Sequence, residues 1–545
     1  MAIICTNTTI SRHLFRSKCL FLLVIIVSCS PPEDHIKCLS NNSTCTITNS
    51  YGMFPDRSVC KAANVSYPTS EQELISAVSM ATIAKRKMEV ATRFSHSIPK
   101  LVCPDGEDGL LISTKYLNKI LRVDAQAMTI PVESWVTLRQ KIEEATKAEL
   151  ALPYTPYWWG LTIGGLMGTG AHGSTLYGNG SSVHDYVVEL RIVSAGGAED
   201  GYAKVRMLNE THQDLHAAKV SLEVLGLTLR LQPQFKRSIT YQVKDDLDLA
   251  DEASMWDSNT YINWYPSQRK AIYRIDDRVS SNTSGNGLYN YILFQSTLTA
   301  TLATVRTTES TNDATGKCNG AMLVTSTLMN TAFGLTNNGI LFTGYPLIGF
   351  QNRLQSSRTC LDSPQDKLIT GCSWDSRIKS EFFHQTTFSI GLSVVKNFIE
   401  DVQKLVALEP KSLCGLEHYN GILMRYVKAS SAYLGKQEDS IDFDISYYRS
   451  KDPMTPRLYE DILEEIEQMA VFKKYKNAGK FLKAKEKYDS LGLFSGEWTD
   501  QVLGLKGGVN IVKDDSHCAP SKGYLCRPTK IYTDARVCTR SLYKF

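Results

Sequence analysis

Apolar and polar positions in the first hundred residues predict a β-α-β unit. A short extended run at 64–68 is followed by Ser70-Glu-Gln-Glu73, a capping-box sequence that starts a helix. Apolar residues from Leu74 to Ala81 recur at helical spacing, and the run KMEVAT at 87–92 predicts the next strand. The unit therefore ends at the polar segment that begins with Arg93.

The pattern predicts more short strands and one more helix before residue 231. A second capping box, Thr137-Leu-Arg-Gln140, starts a helix that runs to about Leu150. The predicted strands are Gly109–Thr114, Ile120–Val123, Thr129–Val132, Tyr186–Val193 and a longer apolar run, Val220–Leu231.

From about Ile239 the pattern changes to an α+β texture typical of a separate domain. Strands are predicted at 262–266, 272–275, 381–392 and 421–428. Helices are predicted at 293–306, 398–405 and 459–472, and a polar loop at 280–287.

The densest local signal is the glycine-rich stretch from Gly160 to Gly178, GLTIGGLMGTGAHGSTLYG. Glycine costs conformational entropy, so this density indicates backbone that passes close to a ligand, with amides forming a nest for a pyrophosphate. A flexible surface loop is the alternative, but apolar residues alternate with the glycines and Trp158-Trp159 precedes them. Gly168–Gly173 matches G-x-G-x-x-G without the preceding strand and following helix of a Rossmann unit, so another fold is expected to hold the nucleotide.

Composition indicates the cellular compartment of the protein and excludes nucleic acid as a binding partner. A formal net charge of +4 on 545 residues, with no basic tract, excludes a nucleic-acid-binding class. A basic segment before an apolar run, Leu20–Val27, and small residues after it predict a cleaved signal peptide, the alternative being an uncleaved anchor. No later run is long enough to span a membrane.

Cysteine and asparagine patterns agree with export. Of 14 cysteines, several cluster near the two ends of the mature chain, which favours disulfides; no C-x-x-C pair occurs, so no metal site is expected. Glycosylation sequons stand at Asn41, Asn42, Asn64, Asn179, Asn209 and Asn282. The expected location is the secretory pathway, ending outside the cell, in the cell wall or in a vacuole, free or attached to a membrane.

Several motifs together resemble one family. Thr-Arg-Phe-Ser-His-Ser (92–97), the glycine stretch 160–173 and Val-His-Asp-Tyr-Val (183–187) resemble the FAD-binding domain of vanillyl-alcohol-oxidase-type flavoproteins. Tyr-Trp-Trp-Gly (157–160) and Phe-His-Gln-Thr-Thr-Phe-Ser-Ile (383–390) resemble the plant L-gulonolactone oxidase-like branch of the aldonolactone oxidoreductases. The resemblance covers nearly all of the chain after the signal.

The resemblance implies an α+β fold, in which a two-lobed FAD-binding domain is followed by a cap domain that binds the substrate. The implied divisions are signal peptide 1–29, a Cys-containing segment 30–59, the FAD-binding domain 60–238, the cap 239–510 and a Cys-rich tail 511–545. The implied FAD-binding residues are Thr92, Arg93, Phe94, Ser95, His96, Ser97, Gly164, Gly165, Gly168, Thr169, Gly170, His172 and Gly173.

In relatives the position of His96 carries FAD through a covalent bond to its 8α-methyl carbon; the alternative is that His96 only donates a hydrogen bond. A second, cysteinyl link is excluded, because no cysteine lies between Pro153 and Gly165. His172 either faces the flavin or bonds the loop backbone, and His184 and Asp185 are expected to order the loop.

The implied reaction is oxidation of L-gulono-1,4-lactone or a related aldono-1,4-lactone to ascorbate, with hydride transfer to flavin N5 and oxygen or another electron acceptor. Arg425 matches a family arginine that binds substrate or stabilises reduced flavin; its alternative is a carboxylate partner on a neighbouring strand. His384 is a weaker candidate for accepting the hydroxyl proton, with a hydrogen-bonded sheet histidine as the alternative.

Departures from the family pattern leave two alternatives open. Leu423 replaces a glutamate two residues before Arg425, Trp135 replaces a glycine, and the chain is shorter after Gly226 and around 469–475, where a Pro-His-Trp-Gly-Lys motif is missing. The protein is then a superfamily flavoenzyme for another sugar or alcohol, or a secreted glycoprotein with impaired catalysis.

Acid precipitation of the mature protein tests the covalent link. We expect yellow flavin to remain in the pellet of the native protein and to move to the supernatant for His96→Ala, because only a covalent bond survives denaturation. Colour in the supernatant of the native protein would show that the link is wrong. A native protein that never carries flavin would show that the departures at 135, 226 and 473 have broken the site.

Overall fold

The computed structural model describes twenty segments of the chain, and the fold below is that of these residues. They are residues 36–47, 60–92, 99–104, 108–156, 159–221, 226–255, 260–287, 314–327, 346–354, 382–408, 410–411, 413–415, 418, 421–449, 476–496, 499–500, 503, 505, 524–527 and 537–540. The segment 99–104 begins after the predicted flavin loop, so Arg93 to Ser97 lie outside the description.

The first lobe is built on a five-stranded sheet of order β1-β2-β3-β5-β4. Its strands are β1 (Ile36–Ser40), β2 (Ser43–Ile47), β3 (Cys60–Ser66), β4 (Met88–Ala91) and β5 (Leu110–Ser113), of which β3, β5 and β4 run parallel. Helix α1 (Glu71–Ile83) connects β3 to β4, which confirms the predicted β-α-β unit. Disulfides join Cys38 with Cys45 and Cys60 with Cys103.

The cap of α1 differs in one detail from the predicted capping box. The Ser70 hydroxyl accepts the Glu73 amide as expected. The Glu73 carboxylate, however, accepts the backbone amide and the hydroxyl of Thr69, one residue before the N-cap. Thr137 and Gln140 form the complete reciprocal box at the start of α2 (Leu138–Lys147).

The second lobe contains a four-stranded sheet of order β6-β10-β8-β9. Its strands are β6 (Thr129–Glu133), β8 (Val187–Ala195), β9 (Ala203–Asn209) and β10 (Gly226–Arg230), beside a small ladder of β7 (Leu150–Ala151) and β11 (Gln232–Pro233). Helices α3 (Ile163–Gly168) and α4 (Leu215–Ala218) pack with α2 on this lobe. The strand predicted at Ile120–Val123 is wrong, because that run makes only an isolated bridge between Ile120 and Val132.

The cap domain is a seven-stranded antiparallel sheet of order β15-β12-β14-β13-β17-β18-β16. Its strands are β12 (Lys236–Asp245), β13 (Thr260–Tyr265), β14 (Lys270–Val279), β15 (Leu347–Phe350), β16 (Phe382–Gly391), β17 (Ile422–Val427) and β18 (Ser440–Arg449). Its helices are α5 (Leu249–Met255), α6 (Ala314–Thr327) and α7 (Val395–Leu408). The sheet begins at Lys236, three residues before the predicted start of the cap.

One face of the cap sheet is apolar and forms a core with α5 and α7. Trp264, Tyr273, Met424 and Phe443 are almost completely buried there, together with Phe398 of α7. A disulfide joins Cys318 of α6 with Cys414. The opposite face of the sheet carries polar and charged residues and turns toward the second lobe.

After the cap, the chain returns to the first lobe. Helix α8 (Ala478–Tyr488) packs against α4, and Leu493 and Phe494 then enter the core beside β4. The Met88 amide donates to the Leu493 carbonyl at 2.7 Å, and Phe494 forms a parallel bridge with Met88. Residues 492–494 therefore join the first lobe, although the cap was predicted to run to residue 510.

Further elements complete the description. Strands β19 (Tyr524–Arg527) and β20 (Val537–Arg540) form a hairpin in which Cys526 stands opposite Cys538. The helices predicted at 293–306 and 459–472 lie outside the described residues. Among the helices that are described, none combines the length and the apolar character that a membrane crossing requires.

Three segments of the two lobes meet at Gly164. The Thr162 hydroxyl donates to the Thr92 hydroxyl at 2.9 Å, which ties the glycine stretch to the end of β4. A Cβ at position 164 would lie 2.9 Å from the Ser134 Cβ and 3.0 Å from the Thr92 methyl carbon. Position 164 is glycine because these three segments approach one another too closely for any side chain to fit between them.

Gly164→Ala is expected to lower the thermal unfolding temperature and the bound flavin content, since overpacking costs about 1–3 kcal/mol. The matched control is Gly479→Ala in α8, where a Cβ has no neighbour within 4 Å and alanine favours the helix. Differential scanning calorimetry and the flavin-to-protein absorbance ratio measure both effects. Equal melting temperatures and flavin ratios for the two variants would show that the junction at Gly164 is not tightly packed.

Candidate active site

The glycine stretch brings backbones together but does not offer a row of free amides. The amides of Gly164 and Gly165 bond to the Ser134 carbonyl and the Thr162 hydroxyl. Those of Thr169, Gly170 and Gly173 bond to the carbonyls of residues 165, 167 and 181. The predicted amide nest is therefore wrong at these five positions.

The exclusion of a Rossmann unit is supported by where α3 ends. The helix finishes at Gly168, the first glycine of the G-x-G-x-x-G match, and no helix starts within residues 168–173. Thr169 caps its carboxyl end, with its hydroxyl donating to the Gly165 carbonyl at 2.8 Å. The two later glycines, Gly170 and Gly173, lie in the turn and extended chain that follow.

Residues 172–175 dock onto the cap sheet where β13 and β17 separate. The Ser174 hydroxyl donates to the Thr260 carbonyl of β13 and accepts the Tyr426 amide of β17 at 2.8 Å. The Thr175 amide then donates to the Tyr426 carbonyl at 2.9 Å. One hydroxyl thus bridges two strands at the point where their own ladder stops.

Gly173 lies within this docked segment and has no room for a side chain. A Cβ there would be 2.6 Å from the Thr155 carbonyl oxygen and 3.1 Å from the Tyr261 hydroxyl. Gly173 therefore allows the second lobe and the cap sheet to touch through backbone.

Facing the docked segment is a row of polar residues that we call the charged row. It consists of one residue from each of five adjacent strands: Ser389, Asp442, Arg425, Tyr261 and Arg274. Each is directly opposite the next in the ladder, so their side chains share one face of the sheet. Two of the residues singled out from the sequence, His172 and Arg425, meet at this row.

His172 is buried and bonds through both ring nitrogens. Nδ1 lies 2.9 Å from the Gly173 carbonyl oxygen, and Nε2 lies 2.9 Å from Asp442 Oδ2. Burial raises the pKa of Asp442, but Lys436 and the hydrogen bond from His172 lower it by more, so this pKa lies well below its usual value. His172 therefore bonds both the loop backbone, as one alternative expected, and the cap.

Arg425 is held by the cap and reaches the glycine stretch. Its Nη2 lies 2.7 Å from Asp444 Oδ2 on the neighbouring strand β18, which is the carboxylate partner expected as the alternative role. Its Nη1 donates to the His172 carbonyl at 3.3 Å. Burial lowers the pKa of Arg425, but Asp444 and Asp442 outweigh burial and raise it.

Arg425 keeps a donor for a ligand. Its buried Nε has no hydrogen-bond partner among the described residues, and its side chain is 17% exposed. Leu423, at the position where the resemblance implies a glutamate, is directly opposite Asp444 in the ladder. A carboxylate therefore lies beside Arg425 even though position 423 is apolar.

The position of His384 on β16 lies outside the charged row. It pairs with Tyr447 in the ladder of β16 and β18. Along β16, position 384 has the parity of Phe388 and Ile390 in the apolar core, whereas Ser389 of the charged row has the opposite parity. Its side chain lies outside the description, so its catalytic role stays a prediction.

His184 and Asp185 order the turn after the glycine stretch, as expected. The Ser430 hydroxyl donates to Asp185 Oδ1 and accepts from His184 Nε2, both at 2.8 Å. Burial, with the positive charge of Lys219, lowers the pKa of His184 to about 3, and burial raises the pKa of Asp185 to about 6. His184 is therefore neutral near pH 7.

Of the predicted flavin loop, the structure describes only Thr92. Trp135, at the position where the resemblance implies a glycine, is half-buried, and its amide donates to the Leu117 carbonyl at 3.0 Å. Sequence reasoning missed Ser134, Ser174, Lys436, Asp442 and Asp444. The run SIDFDIS at 440–446 carried a usable signal, since its acids alternate with apolar residues of a buried strand.

Comparison with known proteins identifies the family that the chain resembles. Residues 62–199 match the family model for the FAD binding domain, and residues 508–540 match the model "L-gulonolactone oxidase 2-like, C-terminal domain". The chain is 58% identical to probable L-gulonolactone oxidase 6 of Arabidopsis thaliana, over 98% of this chain and 96% of that protein. It is 57% identical to L-gulonolactone oxidase 2 of the same plant, over 96% of each.

The alignment with probable L-gulonolactone oxidase 6 extends over 580 positions, more than the 545 residues of this chain. That relative therefore has residues with no counterpart here. This agrees with the expectation that the chain is shortened relative to its family.

Solved structures show the same fold at low identity. A solvent-stable cholesterol oxidase superposes with a TM-score of 0.62 at 14% identity, covering 86% of this chain and 99% of that one. Cholesterol oxidase from B. sterolicum gives a TM-score of 0.61 at 13% identity, covering 85% and 98%. The α+β, two-lobed architecture with a cap is therefore that of the vanillyl-alcohol-oxidase-type flavoproteins.

The residues present fit FAD. The buried hydroxyls of Ser134 and Ser181 have no hydrogen-bond partner among the described residues. Together with Arg425 Nε, they are unused polar groups of the kind that a polar cofactor and its substrate satisfy. By this fit and by identity along almost its whole length, the chain belongs to the L-gulonolactone oxidase family of FAD-binding oxidoreductases.

Proposed function

We propose that this protein oxidises L-gulono-1,4-lactone, or a related aldono-1,4-lactone, to an ascorbate-type product with oxygen as the electron acceptor. The observation that carries the proposal is Arg425, whose buried Nε has no partner among the described residues and whose guanidinium bonds to the glycine stretch. The names of the Arabidopsis relatives support the choice of substrate.

When bound, FAD supplies the acceptor for the hydride that leaves the substrate. Thr92, Ser134, Gly164 and Gly173 are the described residues that would hold it, together with the predicted loop Arg93–Ser97. We propose that His96 in this loop carries the cofactor covalently, since its position matches the attachment site of the family.

Arg425 would bind the lactone carbonyl by a charge-assisted hydrogen bond. Such a bond is stronger in a buried site than in water, and it would stabilise negative charge that develops on the oxygen. Asp444 holds the guanidinium through Nη2, and the Thr387 hydroxyl donates to the other Asp444 oxygen at 2.6 Å. The orientation of Arg425 is thus set before a substrate arrives.

The substrate hydroxyl also needs a proton acceptor. Asp444 is the described carboxylate beside Arg425, although both of its oxygens are already bonded. His384 remains the candidate from the sequence. We keep both, and the pH dependence of lactone oxidation by Asp444→Asn and His384→Gln distinguishes them.

We infer that the protein enters the secretory pathway and acts outside the cell, in the cell wall or in a vacuole. The predicted signal peptide supports this route, as do the three disulfides among the described residues, because such bonds persist in oxidising compartments. The sequons predict a glycoprotein.

Oxygen consumption with a panel of lactones tests the function. Protein from a secretory host is mixed with L-gulono-, L-galactono- and D-arabinono-1,4-lactone, and with cholesterol as an unrelated alcohol. We expect turnover of at least one lactone and none of cholesterol. Cholesterol oxidation without lactone oxidation would overturn the proposal.

Arg425→Met is expected to lower kcat/KM for the lactone by about 10²–10³-fold, the size of the effect when one stabilising donor is removed. The matched control is Arg230→Met, which removes an exposed arginine paired with Glu210 at 2.8 Å. The control is expected to keep the activity and flavin content of the native protein. Unchanged kcat/KM in Arg425→Met would remove Arg425 from the mechanism.

A second candidate is a secreted glycoprotein that binds FAD but has lost catalysis. The observation that favours it is the aligned length of 580 positions, which leaves relatives' residues unmatched in this chain. A yellow protein whose flavin is not reduced by any lactone under anaerobic conditions would support this candidate against the first.

A further inference from the structure

We propose that Asp442 is a positioning residue that keeps His172 as an imidazolium and thereby places a fixed positive charge in the docked glycine segment, beside the flavin. The same contact orients Arg425 through the His172 carbonyl. The proposed charge on His172 does not depend on which reaction the protein catalyses. Its proposed effect on catalysis rests on the proposed lactone oxidation.

The protonation of His172 follows from its two partners. The Gly173 carbonyl can only accept, so Nδ1 must carry a hydrogen. In a neutral ring, Nε2 would then present a lone pair to Asp442 Oδ2 at 2.9 Å, and two acceptors would face each other. A proton therefore lies between Nε2 and the carboxylate.

The surroundings of Asp442 place that proton on the histidine. Asp442 Oδ1 accepts the Ser389 hydroxyl and lies 2.9 Å from Lys436 Nζ. Arg425 is directly opposite Asp442 in the ladder. Two cations and a hydroxyl donor stabilise the anionic carboxylate, so the pair is an imidazolium and a carboxylate.

The residues bonded to one another around His172, Asp442 and Arg425 carry a net excess of one positive charge. The cations are His172, Lys436 and Arg425, and the anions are Asp442 and Asp444. Arg274 of the charged row and Arg237 share one anion, Asp276, and so add a further positive charge. His184 is neutral, and burial raises the pKa of Tyr261. Among the described residues, this cluster therefore favours an anion at the glycine segment.

The positioning of Arg425 follows through the backbone. Asp442 fixes the His172 ring, and the His172 carbonyl accepts Arg425 Nη1 at 3.3 Å. Asp444 holds the other end of the guanidinium. Two aspartates of β18, two residues apart, thus hold one histidine and one arginine in a common arrangement.

The Asp442→Asn variant removes the charge of the carboxylate and keeps the size and packing of the side chain. The asparagine amide can donate to Nε2 of a neutral His172, so the variant keeps the shape and the hydrogen bond while the histidine loses its charge. Asp444→Asn is the matched control, because it weakens the anchor of Arg425 and leaves His172 and its partner intact.

The direct measurement is NMR of protein labelled with ¹³C at histidine Cε1, with the His172 signal assigned from His172→Gln. We expect the native holoprotein and Asp444→Asn to show the signal of an imidazolium. In Asp442→Asn, measured in the same buffer, the signal is expected to be that of a neutral ring. A neutral His172 in the native protein would overturn the proposal.

A second readout is the affinity of the oxidised flavin for sulfite, a small anion that reports positive charge at the cofactor. We expect the dissociation constant to rise at least tenfold in His172→Gln, which loses one positive charge while its amide still donates to a charged Asp442. In Asp442→Asn the two opposite charges are lost together, so the dissociation constant is expected to change less than threefold. An unchanged dissociation constant in His172→Gln would show that His172 places no charge beside the flavin.

Lactone kinetics test the link to Arg425. In Asp442→Asn we expect kcat/KM to fall and to become pH-dependent near pH 6–7, where a histidine without its carboxylate titrates, while the native profile stays flat there. A flat profile in the variant would contradict the positioning role. If no lactone is turned over at all, the proposed function fails, and the NMR and sulfite results still decide the charge on His172.

Discussion

The Ser174 hydroxyl is the contact on which the arrangement of the site depends. It lies where β13 and β17 separate, and it satisfies a carbonyl of one strand and an amide of the other. A buried backbone group without a partner costs about 1–3 kcal/mol, so the cap sheet is stabilised by the segment that docks on it. Because His172 and Gly173 directly precede Ser174, the same contact brings His172 to Asp442 and the Thr155 backbone to Tyr261. The two domains therefore share one hydrogen-bonded seam, and the candidate active site lies along it.

Local sequence rules predicted the elements whose causes are local. The helix at Thr137 begins with its complete capping box, and β4 and β5 lie where the apolar runs placed them. The run Ile120–Val123 has the right composition for a strand and lies along the outer edge of β6, where the Leu121 amide donates to the Pro131 carbonyl. It forms only an isolated bridge there, between Ile120 and Val132, and not a regular ladder. Propensity identified a segment able to pair, whereas the extent of its pairing was decided by the tertiary fold.

The candidate site was predictable in part. The glycine stretch, Thr92, His172 and Arg425 were singled out from motifs, and the carboxylate partner of Arg425 was among the alternatives. The expected use of the glycines was wrong, since the amides bond to Ser134, to residues 162, 165 and 167 of the same stretch, and to Ser181. His172 and Asp442 are separated by 270 positions, and no local pattern connects them. Contacts of this kind arise only when two domains meet, so one sequence does not contain a periodic signal for them.

The return of the chain to β4 has a consequence for biogenesis. Lys87 bonds to the Gly492 carbonyl across a separation of 405 residues, and Leu493 completes the edge beside Met88. At about 5–20 residues per second of synthesis, the β4 edge of a nascent chain waits roughly 20–80 s for its closing segment. An unpaired strand edge is a template for aggregation, so the amino-terminal lobe of a nascent chain exposes such a template until residues 492–494 have been synthesised.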